Sequence, residues 1–288
     1  MTHSDRTLLD ILDSTQENRI WQVQDAGVRL TAEVEPHLLG RPDAGYGEWI
    51  TRRLLKEVLL DISEADRIGQ TMHSSERRRI MSNDLRDVRE QVDQKELLIG
   101  QQQVMQAWEY PIMSAMAEAV TRSRGDVLEI GFGMGISASL IQQRNPRSHT
   151  IVECHTDVQQ RFKKWRSQFS SRKIHLLEGR WQDINSNLDL FDGVLFDAYP
   201  LNAQEWSDHY VNSITYAHHF FETAAAHLRP GGVFTYYSNE INSMSRGHQR
   251  ALLEHFSKVS ISNVKGLKPP PDCCYWQCSE ILIIEAVK

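Results

Sequence analysis

The stretch "FDGVLFDAYPLN", residues 191–202, decides how the rest of this chain is read. Phe191, Val194, Leu195 and Phe196 make a strand that is apolar on both faces, which belongs inside a sheet covered on both sides. The strand then delivers a carboxylate, Asp197, at its tip, followed by Tyr199 and Pro200. In an open α/β sheet, ligands collect beyond the carboxyl ends of the strands. An acid at that point is therefore either a binding group or the N-cap of whatever follows Pro200.

Working outward, strand patterns recur at "DVLEIGF" (126–132), "HTIVECH" (149–155), "KIHLLEG" (173–179) and "GGVFTYYSN" (231–239). Helical patterns lie between them at 135–144, 157–168 and 210–228. Such alternation predicts an α/β fold with a parallel sheet and helices on both faces. "KVSISNVKGL" (258–267) and "SEILIIEAVK" (279–288) stand too close for a crossover helix and predict an antiparallel hairpin. Five parallel strands closed by a terminal hairpin is the Rossmann-like pattern of class I, S-adenosylmethionine-dependent methyltransferases.

Upstream of about residue 95 the pattern is helical. Apolar residues fall at helical spacing over 5–39 and 46–68, and the charged run 74–98 carries a thin stripe of Ile80, Leu85, Val88, Val92 and Leu97. The chain therefore reads as a helical domain over 1–95, available for dimerisation or as a lid, and a catalytic domain over 96–288.

Composition bounds the function. With 288 residues, 40% hydrophobic and 24% charged, the chain suits a soluble globular protein. A formal net charge of -6 argues against a nucleic-acid partner. No apolar run reaches the roughly 20 residues that span a bilayer, so no membrane association is expected. The first residues lack a secretory pattern, and a cytoplasmic location is expected. "CCYWQC" (273–278) crowds three thiols without a spaced second pair or a His partner, so no metal is expected.

"VLEIGFGMGISAS" (127–139) places Gly131, Gly133 and Gly135 between a strand and a helix, where glycines permit a sharp turn and close ligand approach. The dinucleotide fingerprint needs its third glycine where Ile136 stands, which weakens a nicotinamide reading. Glu153 ends the next strand and either accepts from ribose hydroxyls or simply faces solvent. Trp181 and Gln182 follow the third strand; the tryptophan either stacks on adenine or belongs to the core. Glu109, in "WEYP" (108–111) with Trp108, Tyr110 and Met113 as an apolar wall, reads on spacing alone as a helix N-terminal acid. Facing Asp197, it would suit a planar guanidinium, whose N–H fork matches carboxylates.

Together "LLIGQQQVMQAWEYPIMSAMA", "VLEIGFGMGISAS", "IVECH", "LEGRWQDI", "FDGVLFDAYPL", "LRPGGVFTYYSN" and "PPPDCCYW" resemble guanidinoacetate N-methyltransferase and its relatives that methylate the guanidino group of arginine. The resemblance runs from about residue 97 onward. It implies S-adenosylmethionine as methyl donor, Glu109 and Asp197 as guanidinium ligands, and Asp197 as the base. It places Met105 and Met113 between donor and acceptor, and Gly131, Phe132, Gly133, Met134, Gly135, Ile136 and Ser137 around the methionine part. Glu153, with Cys154 and His155, would meet the ribose, and Trp181 with Gln182 the adenine. Asn239 and Glu240 fall where the family holds its substrate's carboxylate with a Leu-Thr pair. A carboxylate at Glu240 would instead grip an α-ammonium group, which makes free L-arginine the expected acceptor. Guanidinoacetate, a protein-bound arginine and a catalytically silent scaffold are the alternatives. Ala198 replaces the family's Thr without derivable consequence, and Gln182 replaces Glu while keeping an acceptor.

Overall fold

The computed structural model describes residues 85–100, 102–184, 188–205, 208–209, 213–238, 240, 243–273, 275–276 and 278–288, all within one compact unit, Ser74–Lys288. The helices expected over 5–39 and 46–68 lie outside the described residues, as does Ile80 of the stripe expected to pack on a neighbouring helix or a second subunit.

A seven-stranded sheet organises the fold. Its parallel part comprises β4 (Asp126–Ile130), β5 (Ser148–Glu153), β6 (Ile174–Glu178), β7 (Phe191–Phe196) and β8 (Leu228–Ser238), and the order across the sheet is β6-β5-β4-β7-β8-β10-β9. β9 (Lys258–Lys265) and β10 (Glu280–Val287) form the antiparallel hairpin that the sequence predicts, and β10 also pairs antiparallel with β8. Alternation along each strand feeds two separate cores. Leu128, Ile130, Val194, Phe196 and Phe234 enter one; Val127, Ile151, Leu195 and Ile283 enter the other.

Helices α1 (Tyr110–Thr121), α2 (Ile136–Gln143) and α3 (Thr156–Arg166) cover the second core through Met113, Met116, Ile141, Phe162 and Trp165. The short α4 (Trp181–Ile184), α5 (Phe221–His227) and α6 (Arg246–Leu253) cover the first through Trp181, Phe221, Ala224 and Leu252. Local signals agree with these placements. Pro111 opens α1, His155 caps α3, and Lys163, Lys164 and Arg166 crowd the last turn of α3, where cations oppose the helix dipole. Among the described residues no helix is long and apolar enough to cross a membrane.

The helical reading of residues 85–95 is corrected. After one 3-10 turn at Leu85–Asp87, the chain forms a three-stranded antiparallel sheet of β1 (Glu90–Val92), β2 (Glu96–Ile99) and β3 (Gln102–Gln106). Asp93 causes the break. Its Oδ1 accepts from the backbone N–H groups of Lys95 at 2.6 Å and Glu96 at 2.9 Å, an Asx turn that competes with helix. The apparent stripe therefore splits: Leu85 and Leu97 are buried, whereas Val92 is exposed.

Candidate active site

The site forms at the carboxyl ends of β4, β5 and β7. Backbone pairing continues past β7, with Asp197 N–H donating to Ile130 O at 3.0 Å, so the acid is carried to the start of the glycine loop. Gly131 has φ +92°, and a Cβ there would stand 2.0 Å from Asp197 O. Only glycine allows both the left-handed backbone and this approach.

The loop is fixed by the groups around it. Phe132 N–H donates to Glu153 Oε2 at 2.9 Å, while the Phe132 ring is buried against Phe162 and Trp165 at 5.4 and 5.3 Å. Arg161 of α3 donates to Gly133 O at 2.6 Å and pairs with Glu90 of β1. Met134 N–H points at Met105 Sδ, 3.4 Å away. Glu153 Oε1 also accepts from His155 N–H at 2.8 Å. A carboxylate has about four acceptor positions; the Phe132 and His155 amides and the weaker Cys154 thiol take three, so Glu153 retains room for a further hydroxyl. The left-handed loop, the backbone amides beneath it and this partly committed acid fit S-adenosylmethionine.

The two acids expected on the acceptor side lie close enough for the charge of Glu109 to act on Asp197. Glu109 sits between β3 and α1, is 3% exposed, and its Oε1 accepts from Tyr275 Oη at 2.7 Å and Gln106 N–H at 2.6 Å. Burial pushes Glu109 up to about 7, with the Tyr275 and Gln106 hydrogen bonds acting in the opposite direction. Desolvation, then the neighbouring charges of Glu109 and Glu129, push half-buried Asp197 well above the carboxylate range, and a hydrogen bond from Tyr237 opposes them. Asp197 is not the N-cap of the short helical turn Ala203–Glu205 that follows Pro200: Asn202 fills that role, accepting from Glu205 N–H at 2.9 Å. Two desolvated carboxylates within each other's field are costly to ionise together, a cost that a bound cation would offset.

The structure places the other expected residues less uniformly. Met105 is buried against the loop and Met113 lies wholly in the core; Met134 and Ile136 are half-buried. Ser137 is turned inward and donates to buried Glu129, which also faces His149 Nε2 at 2.9 Å, so its hydroxyl is committed within the protein. His155 likewise spends both ring nitrogens internally, capping Val158 N–H and meeting Val88 O at 2.7 Å. Half-buried Cys154 has its thiol pushed up by burial and by the Glu153 charge. Trp181 packs edge-on to Phe220 at 4.9 Å and against the core, while Gln182 is exposed. Tyr110 points to solvent and is not part of the apolar wall; Tyr275 takes that place, stacked on Trp108 at 6.0 Å.

Glu240 requires a correction. Its Oε2 meets His248 Nδ1 at 2.7 Å and Ser238 Oγ at 3.1 Å, and its Oε1 accepts from Ser245 N–H at 2.7 Å. Burial works to raise it, but the bonds from His248 and Ser245 hold it below the usual range. Buried His248 in turn meets Tyr236 Oη, so the carboxylate anchors the chain entering α6 instead of awaiting an α-ammonium group. Asn239 lies outside the described residues. Glu240→Ala is expected to lower unfolding free energy by about 1–3 kcal/mol, since His248 loses its partner, while acceptor KM stays within about twofold. Denaturant titration beside steady-state kinetics checks this; a large KM increase with unchanged stability would restore the substrate role.

The sequence assigns no role to three residues at the site: Tyr237 and Tyr275, although "FTYYSN" and "PPPDCCYW" belong to the resemblance, and Arg161, which lies in no motif. The adjacent pair Tyr236–Tyr237 offered a signal, because neighbouring strand residues face opposite ways. Tyr236 enters the core beside Phe234, and Tyr237 faces Asp197.

Sheet order, a left-handed glycine loop after β4 and an acid ending β5 define the class I methyltransferase fold with its donor-binding end. The sequence profile of the family "Guanidinoacetate N-methyltransferase" matches residues 79–288, and the chain belongs to that family. Among curated relatives, "Protein arginine N-methyltransferase 2" of Candida glabrata is 34% identical over 146 residues, 47% of this chain and 32% of the relative. The protein of the same name from Saccharomyces cerevisiae is 33% identical over 147 residues, again 47% and 32%. The matched part thus spans about a third of these relatives. Among solved structures, spermidine synthase from Thermotoga maritima superposes with a TM-score of 0.47 at 12% identity, covering 67% of this chain and 64% of that one.

Proposed function

We propose that this protein transfers a methyl group from S-adenosylmethionine to a guanidino nitrogen of arginine, and that the arginine belongs to a polypeptide. The Glu109–Asp197 pair carries the reading. Among the described residues no cation pairs with either acid; their partners are tyrosine hydroxyls and a backbone N–H. A guanidinium stays charged to above pH 12, is planar and weakly hydrated, and satisfies both acids at once.

S-adenosylmethionine supplies an electrophilic methyl carried on a sulfonium. Glu153 offers its remaining acceptor position to a ribose hydroxyl, the 131–137 backbone lines the methionine end, and Trp181 with Gln182 stands on the adenine side. Glu109 and Asp197 hold the flat cation with one terminal nitrogen toward the methyl, at about 3 Å as near-attack geometry requires. Asp197 takes the proton that this nitrogen loses as the N–C bond forms. The cation's charge restores ionisation of both acids, so the base is generated by the substrate that needs it.

The choice of a polypeptide acceptor draws on the curated relatives' names. Free L-arginine rested on Glu240, which is committed inside the fold. Guanidinoacetate is the second reading, favoured by the family's name over residues 79–288. Incubation with labelled donor and equimolar free arginine, guanidinoacetate and arginyl peptides, read by product mass, discriminates among them. Methylated peptide is expected. Turnover of guanidinoacetate alone would transfer the assignment to the second reading, and no methylated guanidino product at all would sink both.

A further inference from the structure

We propose that Tyr275, from the loop between β9 and β10, is a positioning residue that fills one oxygen of Glu109 and thereby presents the other, Oε2, to the acceptor guanidinium. This rests on the function proposed above and deepens it. Oε1 holds two donors, Tyr275 Oη at 2.7 Å and Gln106 N–H at 2.6 Å, which matches the roughly two lone-pair sites of one carboxylate oxygen. A two-pronged grip by the guanidinium fork on Glu109 is therefore blocked, and Glu109 takes its substrate end-on through Oε2. The second acid repeats the device, because Tyr237 donates to Asp197.

The surrounding structure holds Tyr275 in this post. Its ring stacks on Trp108 with an interplanar angle of 27°, and Trp108 Nε1 donates to Gln106 Oε1 at 2.8 Å. The loop is tied to β3 where Gln103 Nε2 donates to Asp272 O at 3.1 Å. The ring, its stacking partner, the backbone N–H and the acid thus form one closed cycle across three elements: β3, the turn Ala107–Glu109 and the β9–β10 loop. The titratable groups facing this cycle are Asp197 beside Glu109, Cys273 and Tyr237 beside Tyr275, and Glu96, whose Oε2 accepts from Gln106 Nε2 at 3.1 Å.

The hydroxyl also opposes the upward pressure of burial on Glu109, which gives a readout that mere packing would leave unmoved. Tyr275→Phe keeps the ring and its stack. It is expected to raise acceptor KM by about 10- to 100-fold at pH 7, the range for a hydrogen bond to a charged group, with kcat changed by less than about threefold. The acidic limb of kcat/KM, near pH 7 in the parent, is expected to move upward, and much of the lost activity returns at pH 9, where Glu109 is ionised and guanidinium still charged. Trp108→Phe disturbs the same stack but leaves the hydroxyl, and the limb is expected to stay in place. A Tyr275→Phe limb that does not move, or one that moves equally in Trp108→Phe, overturns the inference while the active parent keeps its proposed function. A parent inert toward every guanidino acceptor overturns that function and this inference together.

Discussion

Asp197→Asn lowers kcat by about 100- to 10,000-fold, the span associated with removing a positioned general base, while S-adenosylhomocysteine binds within about threefold of the parent affinity. The separation follows from the geometry. The backbone of Asp197, not its side chain, supports the glycine loop, through Asp197 N–H to Ile130 O and the carbonyl seated against Gly131. Asparagine keeps those main-chain contacts and still accepts from Tyr237, but takes no proton. The same substitution is expected to raise the melting temperature of the ligand-free protein. An acid whose folded pKa lies above its unfolded value stabilises the fold through its bound proton below the unfolded pKa, near 4, and loses that contribution as pH rises. The amide has no such loss, so the Asn variant's advantage is small at pH 4 and grows toward pH 8. Glu109→Gln should behave alike, its window running from 4.5 to about 7. Calorimetry across pH, paired with single-turnover assays, tests both halves. Near-parental turnover would remove Asp197 from the chemistry, and a variant less stable at pH 8 would contradict the description of a desolvated, like-charged pair.

That trade of stability for function explains which parts of the molecule the sequence reveals. Strands such as Val194-Leu195-Phe196 are apolar on both faces because helices cover both, and this leaves an unmistakable mark in the primary structure. β1 to β3 leave none. Half of their residues are charged or amide-bearing, and in "REQVDQKELL" helix and strand differ only through the Asx turn at Asp93, whose effect depends on a single side-chain rotamer. The acids at 109 and 197 and the tyrosines at 237 and 275 all fall in recognisable stretches, but the pairing of acid with tyrosine does not show, since Tyr275 reaches Glu109 across 166 positions of chain. Glu240 misled for a related reason. Its charge suited a ligand, but His248, eight residues on in the next helix, had already claimed it. Spacing reports which residues can share a face; it does not report which polar partner arrives first.

Gly131→Ala is expected to be the most damaging single change to the site that adds only a methyl group. The new Cβ would stand 2.0 Å from Asp197 O, a contact with backbone that no rotamer can relieve. The residue's φ of +92° adds strain for any side chain. Neither strand can withdraw cheaply, because Gly131 N–H is bonded to Val152 O at 2.9 Å and Asp197 N–H to Ile130 O at 3.0 Å. Relief therefore breaks a main-chain bond between β4 and β5 or between β4 and β7, and either loss displaces the donor loop and the acceptor acid together. Unfolding free energy should fall by about 2–4 kcal/mol, combining backbone strain with a lost buried hydrogen bond. Affinity for S-adenosylhomocysteine should fall at least about 100-fold, the cost of two or more lost or misdirected hydrogen bonds. Gly231→Ala provides the control: its φ is +78°, yet nothing lies within 4 Å of the added methyl. It should cost only the left-handed backbone term, about 1–2 kcal/mol, and leave ligand binding intact. Chemical denaturation and titration calorimetry on the two variants separate strain from collision. Equal stability losses, with equal and undiminished ligand affinity, would mean that the close approach of Asp197 to the glycine loop does not hold the donor and acceptor halves of the site in register.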